Sequence, residues 1–186
     1  MNKKLLAIIL VIVCIFNSGQ VEAASKKNVK LKSFSYSKIF YGEETSNLNY
    51  SFKFTNSNGS TIKGKFKLYL DKTMSNAGTY KVKYKFVPSS KKYNTKTGTV
   101  EIAISKKPVY IYLKDSYSKE FGEVDPDFLY TYKGTIGNDK VTGALNRRKG
   151  EEVGTYRYVA SNLEYSDNYQ LYLEYDKGFE IVEANH

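Results

Sequence analysis

Polar and apolar residues alternate with a period of two along most of this chain. The clearest run is Gly78 to Pro88, where Tyr80, Val82, Tyr84 and Phe86 alternate with Lys81, Lys83 and Lys85 without a slip. Successive side chains of a strand point to opposite faces, so this pattern predicts a half-buried strand with an aromatic inner face and a lysine outer face. Gly78 and Pro88 stand at its ends, where a strand tolerates them. Leu48, Tyr50, Phe52 and Phe54 alternate in the same way, followed by a turn at Asn56-Ser57-Asn58-Gly59. Phe66, Leu68 and Leu70 alternate with Lys65, Lys67 and Tyr69, and Val100, Ile102 and Ile104 with Thr99, Glu101 and Ala103. Further on, Val109, Ile111 and Leu113 alternate, as do Tyr169, Leu171, Leu173 and Tyr175. No stretch carries a convincing helical period, and the reading is an all-β protein.

The pattern also repeats at long range. Tyr36-Ser37-Lys38-Ile39-Phe40-Tyr41-Gly42-Glu43 is matched by Tyr117-Ser118-Lys119-Glu120-Phe121-Gly122-Glu123, and Gly78-Thr79-Tyr80 by Gly154-Thr155-Tyr156. Lys92-Tyr93-Asn94 aligns with Asn168-Tyr169-Gln170, and Glu101-Ile102 with Glu180-Ile181. Landmarks in one order, about 80 residues apart, mark two copies of one module. The run Glu152 to Val159 is expected to be the second copy of the Gly78 strand. The expected organisation is a signal peptide over 1–23, a flexible lead-in over 24–33, a β module over 34–106, a second over 107–183 and a tail over 184–186. Lys106-Lys107-Pro108 forms the boundary.

The leader follows from Met1 to Lys4, a basic start, then the apolar run Leu5 to Phe16 and a polar tail ending in Val21-Glu22-Ala23. The run is shorter than the roughly 20 residues a membrane span needs, so cleavage after Ala23 is expected, with no transmembrane span afterwards. Cys14, the single cysteine, would leave with the leader. The exported chain would then hold no disulfide and depend on its cores alone. Its 18 Tyr and 10 Phe supply large apolar faces at small rotamer cost.

Charge divides unevenly. Residues 24–106 hold 17 Lys, no Arg and 4 acids, a net of +13, whereas 107–186 hold 7 Lys, 3 Arg and 14 acids, a net of −4. That asymmetry and the leader argue against nucleic acid as partner. Lys63, Lys65 and Lys67 are expected on the outer face of one strand and Lys81, Lys83 and Lys85 on that of another. In one sheet they would form a positive ridge able to bind polyanions, although lysines also serve to blunt exposed sheet edges.

Other chemistry is sparse. His186 is the only histidine and the last residue, which leaves no internal Ser-His or Cys-His pair. Glu43/Glu44 and Glu151/Glu152 are adjacent carboxylates, which a strand sends to opposite faces. Glu123, Asp125, Asp127 and Asp139 could offer oxygens to Ca²⁺, but no known calcium-loop spacing is present, and a turn fixed by Pro126 and capped by Asp125 is the expected reading. No catalytic residue, cofactor or metal site is assigned.

A resemblance sharpens the second module. Lys107-Pro108-Val109 through Phe121-Gly122-Glu123-Val124-Asp125-Pro126, then Tyr130-Thr131-Tyr132-Lys133-Gly134, Gly137-Asn138-Asp139, Thr142-Gly143-Ala144-Leu145, Gly150 to Tyr156 and Asn168-Tyr169, resembles the MBG repeat of the YGX type. Phe121 departs from the tyrosine that usually precedes this glycine. Residues 34–106 resemble a neighbouring exported bacterial Ig-like repeat, through Tyr41-Gly42, Gly64-Lys65-Phe66, Ala77-Gly78-Thr79-Tyr80, Phe86-Val87-Pro88, Tyr93-Asn94 and Thr97 to Lys106. The resemblance implies Ig-like sandwich or β-grasp-like modules on large bacterial surface and adhesin-like proteins, with no catalytic set to carry over. The chain shows no Leu-Pro-x-Thr-Gly sorting motif and no apolar C-terminal stretch. A secreted or non-covalently surface-associated, non-catalytic protein is expected, binding anionic envelope or host polysaccharides. A purely structural spacer or a secreted interaction protein with a protein partner is the alternative, and an extracellular hydrolase is disfavoured.

Overall fold

The computed structural model describes residues 25–71 and 74–184. The expected leader, Cys14 and His186 lie outside them. The fold is all-β, with a short 3-10 turn at Thr45–Asn47. Unit one contains β1 (Lys30–Tyr36), β2 (Ile39–Phe40), β3 (Tyr50–Thr55), β4 (Thr61–Ile62), β5 (Gly64–Tyr69), β6 (Gly78–Pro88) and β7 (Lys96–Ser105). Unit two contains β8 (Lys107–Leu113), β9 (Ser118–Glu120), β10 (Tyr130–Lys133), β11 (Thr142–Gly143), β12 (Asn146–Arg147), β13 (Gly154–Tyr156), β14 (Tyr158–Val159), β15 (Leu163–Glu164), β16 (Tyr169–Glu174) and β17 (Phe179–Val182).

In unit one the sheet β1-β3-β4 faces the four-stranded sheet β2-β7-β6-β5. The alternation of β6 does what its sequence predicts. Val82, Tyr84 and Phe86 are buried, while Lys81, Lys83 and Lys85 are exposed. Phe86 lies flat on Phe54 of the facing sheet, rings 3.9 Å apart and 1° from parallel. Phe66 then packs against Tyr84 at 5.3 Å. The alternation is weaker on β3, where Phe54 is buried but Tyr50 and Phe52 are 40% and 36% exposed.

Unit two repeats the topology in shorter pieces. The pairing of β1 with β3 returns as β8 with β10, and the parallel pair β2/β7 returns as β9/β17. Its core joins Val109, Ile111, Phe128, Tyr158, Tyr169, Phe179 and Ile181. The run expected as one strand over Glu152 to Val159 is instead two strands in different sheets. β13 pairs with β17, β14 pairs with β12, and Arg157 between them accepts the Arg148 N–H at 2.8 Å. The chain crosses there from one sheet to another.

The lead-in expected over 24–33 is also corrected. The Lys27 N–H donates to the Lys92 carbonyl and the Asn94 N–H to the Lys27 carbonyl, both at 2.9 Å. Val29 is 2% exposed, and β1 begins at Lys30. The polar composition concealed one buried valine and an edge pairing. Unit two begins the same way, with Lys107 N–H donating to the Asn168 carbonyl at 2.9 Å and Val109 fully buried. Lys27 is therefore the structural counterpart of Lys107.

The units meet through more than the residue Lys106 between β7 and β8. The ring of Tyr41 stands edge-on to Tyr169 of unit two at 5.3 Å. The Tyr169 hydroxyl donates to Asp139 at 2.5 Å, and the Tyr41 hydroxyl donates to the same carboxylate oxygen at 3.3 Å. Burial, aided by the Asp139 carboxylate, pushes the Tyr169 phenol up to about 12. The Ala77 N–H donates to the Asn168 side chain at 2.8 Å, whose amide donates to Asn76 at 3.1 Å. Gly42, at φ +84°, lies so close to Ile136 that a Cβ would meet its Cδ1 at 2.0 Å.

Candidate functional site

Five of the six lysines singled out from the sequence converge on one surface. β5 and β6 are antiparallel neighbours in the four-stranded sheet, with Lys67 opposite Lys85, Tyr69 opposite Lys83 and Lys65 opposite Val87. On the other side of β6, Lys85 faces Thr97, Lys83 faces Thr99 and Lys81 faces Glu101 of β7. Lys65, Lys67, Lys81, Lys83 and Lys85 are exposed and share the outer face. Lys63 is exposed too, but it lies between β4 and β5 rather than on a strand. The sheet turns there, so its place on the ridge is one of sequence proximity only.

The face has a definite chemistry. Lys67 and Lys85 are like charges at a directly paired position, where Cβ atoms stand roughly 5 Å apart and repulsion costs stability. Only Glu101 offers a carboxylate within this cross-strand set. Sequence reasoning missed the remaining floor of the surface. Tyr69, 48% exposed, carries the Lys67 ammonium 5.2 Å from its ring centroid, and Val87 is 42% exposed. An open hollow of about 410 Å³ runs beside them, lined by Tyr69, Lys83, Tyr84, Lys85, Thr97, Gly98 and Thr99. Gly98 itself belongs to the inner face with its partner Tyr84, packed so closely that a Cβ there would stand 2.7 Å from the Tyr84 hydroxyl. The pairing of Tyr84 with Gly98 becomes legible only once the register is known. The result is a shallow cationic surface with an aromatic floor and two hydroxyls, suited to an extended anion rather than to a deeply bound small molecule.

The carboxylates considered in unit two have other engagements. Asp125 accepts Arg147 Nε at 2.6 Å and Lys119 Nζ at 2.9 Å, while Glu151 accepts the same two cations at 2.7 and 2.5 Å. Arg147 also donates to the Gly150 carbonyl at 2.5 Å and lies about 5 Å over the rings of Tyr156 and Phe179. Lys119 and Arg147 side chains are 4% and 5% exposed, so this is a charged cluster in the flank of the core. Hydrogen bonding from Arg147, reinforced by Lys119, holds the Asp125 carboxyl below the usual carboxylate range. The turn expected at Asp125-Pro126-Asp127 is corrected by this geometry. The hydrogen-bonded turn lies earlier, with Glu123 N–H on the Glu120 carbonyl at 3.2 Å, and Asp125 meets side chains instead of capping backbone. Asp139 serves the junction between the units.

No helix among the described residues is long and apolar enough to cross a membrane. A search of the curated proteins and one of the solved structures each return no match. A family model does match unit two: residues 112–178 are recognised as an MBG domain of the YGX type, the family its residues resemble.

Proposed function

We propose that this is an exported, non-catalytic β-repeat protein of the bacterial surface or its medium, whose unit-one face binds anionic envelope or host polymers. The family match of unit two supports a β-rich, surface-type repeat module. The observation that carries the binding role is the β5/β6/β7 register, which sets five exposed lysines on one face, with Glu101 the one carboxylate among the paired positions. Lysine is a point-charge donor that suits flexible polyanions, where the fixed fork of arginine offers less advantage. Phosphate-bearing wall polymers, acidic polysaccharides and anionic lipid heads are the abundant extracellular anions with this chemistry. A spacer role has support of its own in the hydrogen-bonded junction around Asp139 and Asn168, which ties the units together.

Cell fractionation tests the reading. Wall-associated protein released by salt is expected. Protein found wholly in the medium, with no retention on washed cells at low salt, contradicts it.

A further inference from the structure

The junction between the two units is built from parts that both units possess, and one set of those parts is unused. In unit one the turn over Phe40 to Glu43 is closed by the Glu43 N–H on the Phe40 carbonyl at 3.1 Å. The Glu43 carboxylate returns to the Phe40 N–H at 2.9 Å. In unit two the turn Glu120 to Glu123 has the same two bonds, at 3.2 and 3.0 Å. Gly42 and Gly122 share φ values of +84° and +88°. The first turn projects Tyr41 and Gly42 into unit two. The second projects Phe121 and Gly122 into solvent: Phe121 is 51% exposed, and nothing lies within 4 Å of a Cβ built on Gly122.

The receiving surface is duplicated as well. In unit two it consists of Tyr169, Asn168 and the turn from Ile136 to Asp139. In unit one the counterparts are Tyr93, Lys92 and the turn from Asn56 to Gly59. Both turns close alike, with Asp139 N–H on the Ile136 carbonyl at 3.0 Å and Gly59 N–H on the Asn56 carbonyl at 3.1 Å. Tyr169, covered by Tyr41, is 1% exposed, whereas Tyr93 is only partly buried.

We propose that the Phe121-Gly122 turn of one chain docks on the Tyr93 surface of a second copy, repeating the internal junction between molecules. The changes between the two sets of parts are paired. Tyr41 donates its hydroxyl to Asp139, and where Phe121 lacks the hydroxyl, the receiving position is Gly59, which lacks the carboxylate. Asn76 bonds Asn168 in the internal junction. The counterpart of Asn76 is Glu152, since Tyr80 and Tyr156 each donate their hydroxyl to the carbonyl four residues earlier, Asn76 and Glu152. The counterpart of Asn168 is Lys92. An amide pair inside the molecule thus becomes an ion pair between molecules. Glu152 and Lys92 are exposed, and among the described residues neither forms an ion pair. The long-range charge agrees, since an acidic unit two would meet a basic unit one of net +13.

The contact is heterologous: the two surfaces differ, so each added copy leaves one of each free and the assembly is open-ended unless it closes into a ring. It uses surfaces other than the lysine face and does not depend on the polyanion reading.

The test is light scattering of residues 24–186 across a concentration series at low and high salt. The weight-average mass is expected to climb past about twice that of the monomer, and to fall back with salt. Phe121→Asp, at a half-exposed position, should abolish the climb, as should Glu152→Lys or Lys92→Glu. The double exchange E152K/K92E should restore it, because it re-creates with reversed sign the ion pair that each single variant breaks. A protein that stays monomeric at every concentration overturns the proposal. So do single variants that associate like the parent, or a double exchange that stays as monomeric as the single ones.

Discussion

Replacing Phe86 by Ala removes the ring on which the unit-one core is assembled. Phe86 has no exposed surface, lies 3.9 Å from Phe54 in parallel stacking, and meets Phe52 edge-on at 6.1 Å. Burial and cavity terms for such a truncation together cost about 3–5 kcal/mol, within which the aromatic pairing contributes roughly 1 kcal/mol. A domain of this size loses about 4–8 °C of melting temperature per kcal/mol, so the unit-one transition should fall by about 12–40 °C. Phe52→Ala is the control. That ring is 36% exposed although it stacks on Phe66 at 4.6 Å, and its loss should cost about 1–2 kcal/mol. Thermal melts followed by near-ultraviolet dichroism read both variants. A fall of less than about 5 °C for Phe86→Ala, or equal falls for the two, would refute the inward assignment of β6 and the packing of the two sheets.

Three further outcomes follow from the other sites. Asp125 has its carboxyl lowered by Arg147, so its contribution is present above the unfolded value and is lost as pH falls through the folded one; acid melts should show unit two weakening below about pH 4, and Asp125→Asn should be less stable at neutral pH with a flatter acid limb. The phenol of Tyr169 at about 12 works in the opposite sense, with stability intact below about pH 10 and lost as pH rises toward 12; burial raises Tyr84, Tyr130 and Tyr158 as well, so absorbance titration at alkaline pH should find a late-titrating group of tyrosines, from which Asp139→Asn moves one member earlier. Gly42→Ala should destabilise more than Gly122→Ala, because both incur positive-φ strain of about 1 kcal/mol but only the first drives a Cβ into Ile136; urea midpoints that fall equally would mean the internal junction contributes nothing.

How far the sequence could be read depended on whether a side chain's role was local. The faces of β5 and β6, and so the outward side of Lys65, Lys67, Lys81, Lys83 and Lys85, follow from alternation, which a strand obeys wherever one face is buried, whereas the adjacency of the two strands does not. The opposition of Lys67 to Lys85 and of Tyr84 to Gly98 needed the register, which no single strand encodes. Val29 was hidden by its lysine-rich neighbours, because one buried residue in an edge segment makes no period. Lys119 misled by name. Sequence matching sets it beside Lys38, but it pairs with Ile181 of β17 as Ile39 pairs with Ile104 of β7, so a charge occupies an apolar core position. Asp125 and Glu151 balance that charge and the charge of Arg147 beside it, from loops and a two-residue strand, at separations that carry no motif. The split of Glu152 to Val159 into two sheets likewise turns on Arg157, whose backbone bond to Arg148 is a tertiary contact.

The measurement that bears most directly on the proposed function is retention of residues 24–186 on an immobilised wall polyanion across a salt gradient, beside the variant carrying Lys81→Gln, Lys83→Gln and Lys85→Gln. These lysines are exposed, so the variant should keep its fold and melt within a few degrees of the parent. Screening acts over about 10 Å at 0.1 M salt, so the parent should elute as the gradient rises through that range and the variant distinctly earlier. Parent and variant eluting together, or a parent that never binds at low salt, would contradict the assignment of the β5/β6 face as the binding surface.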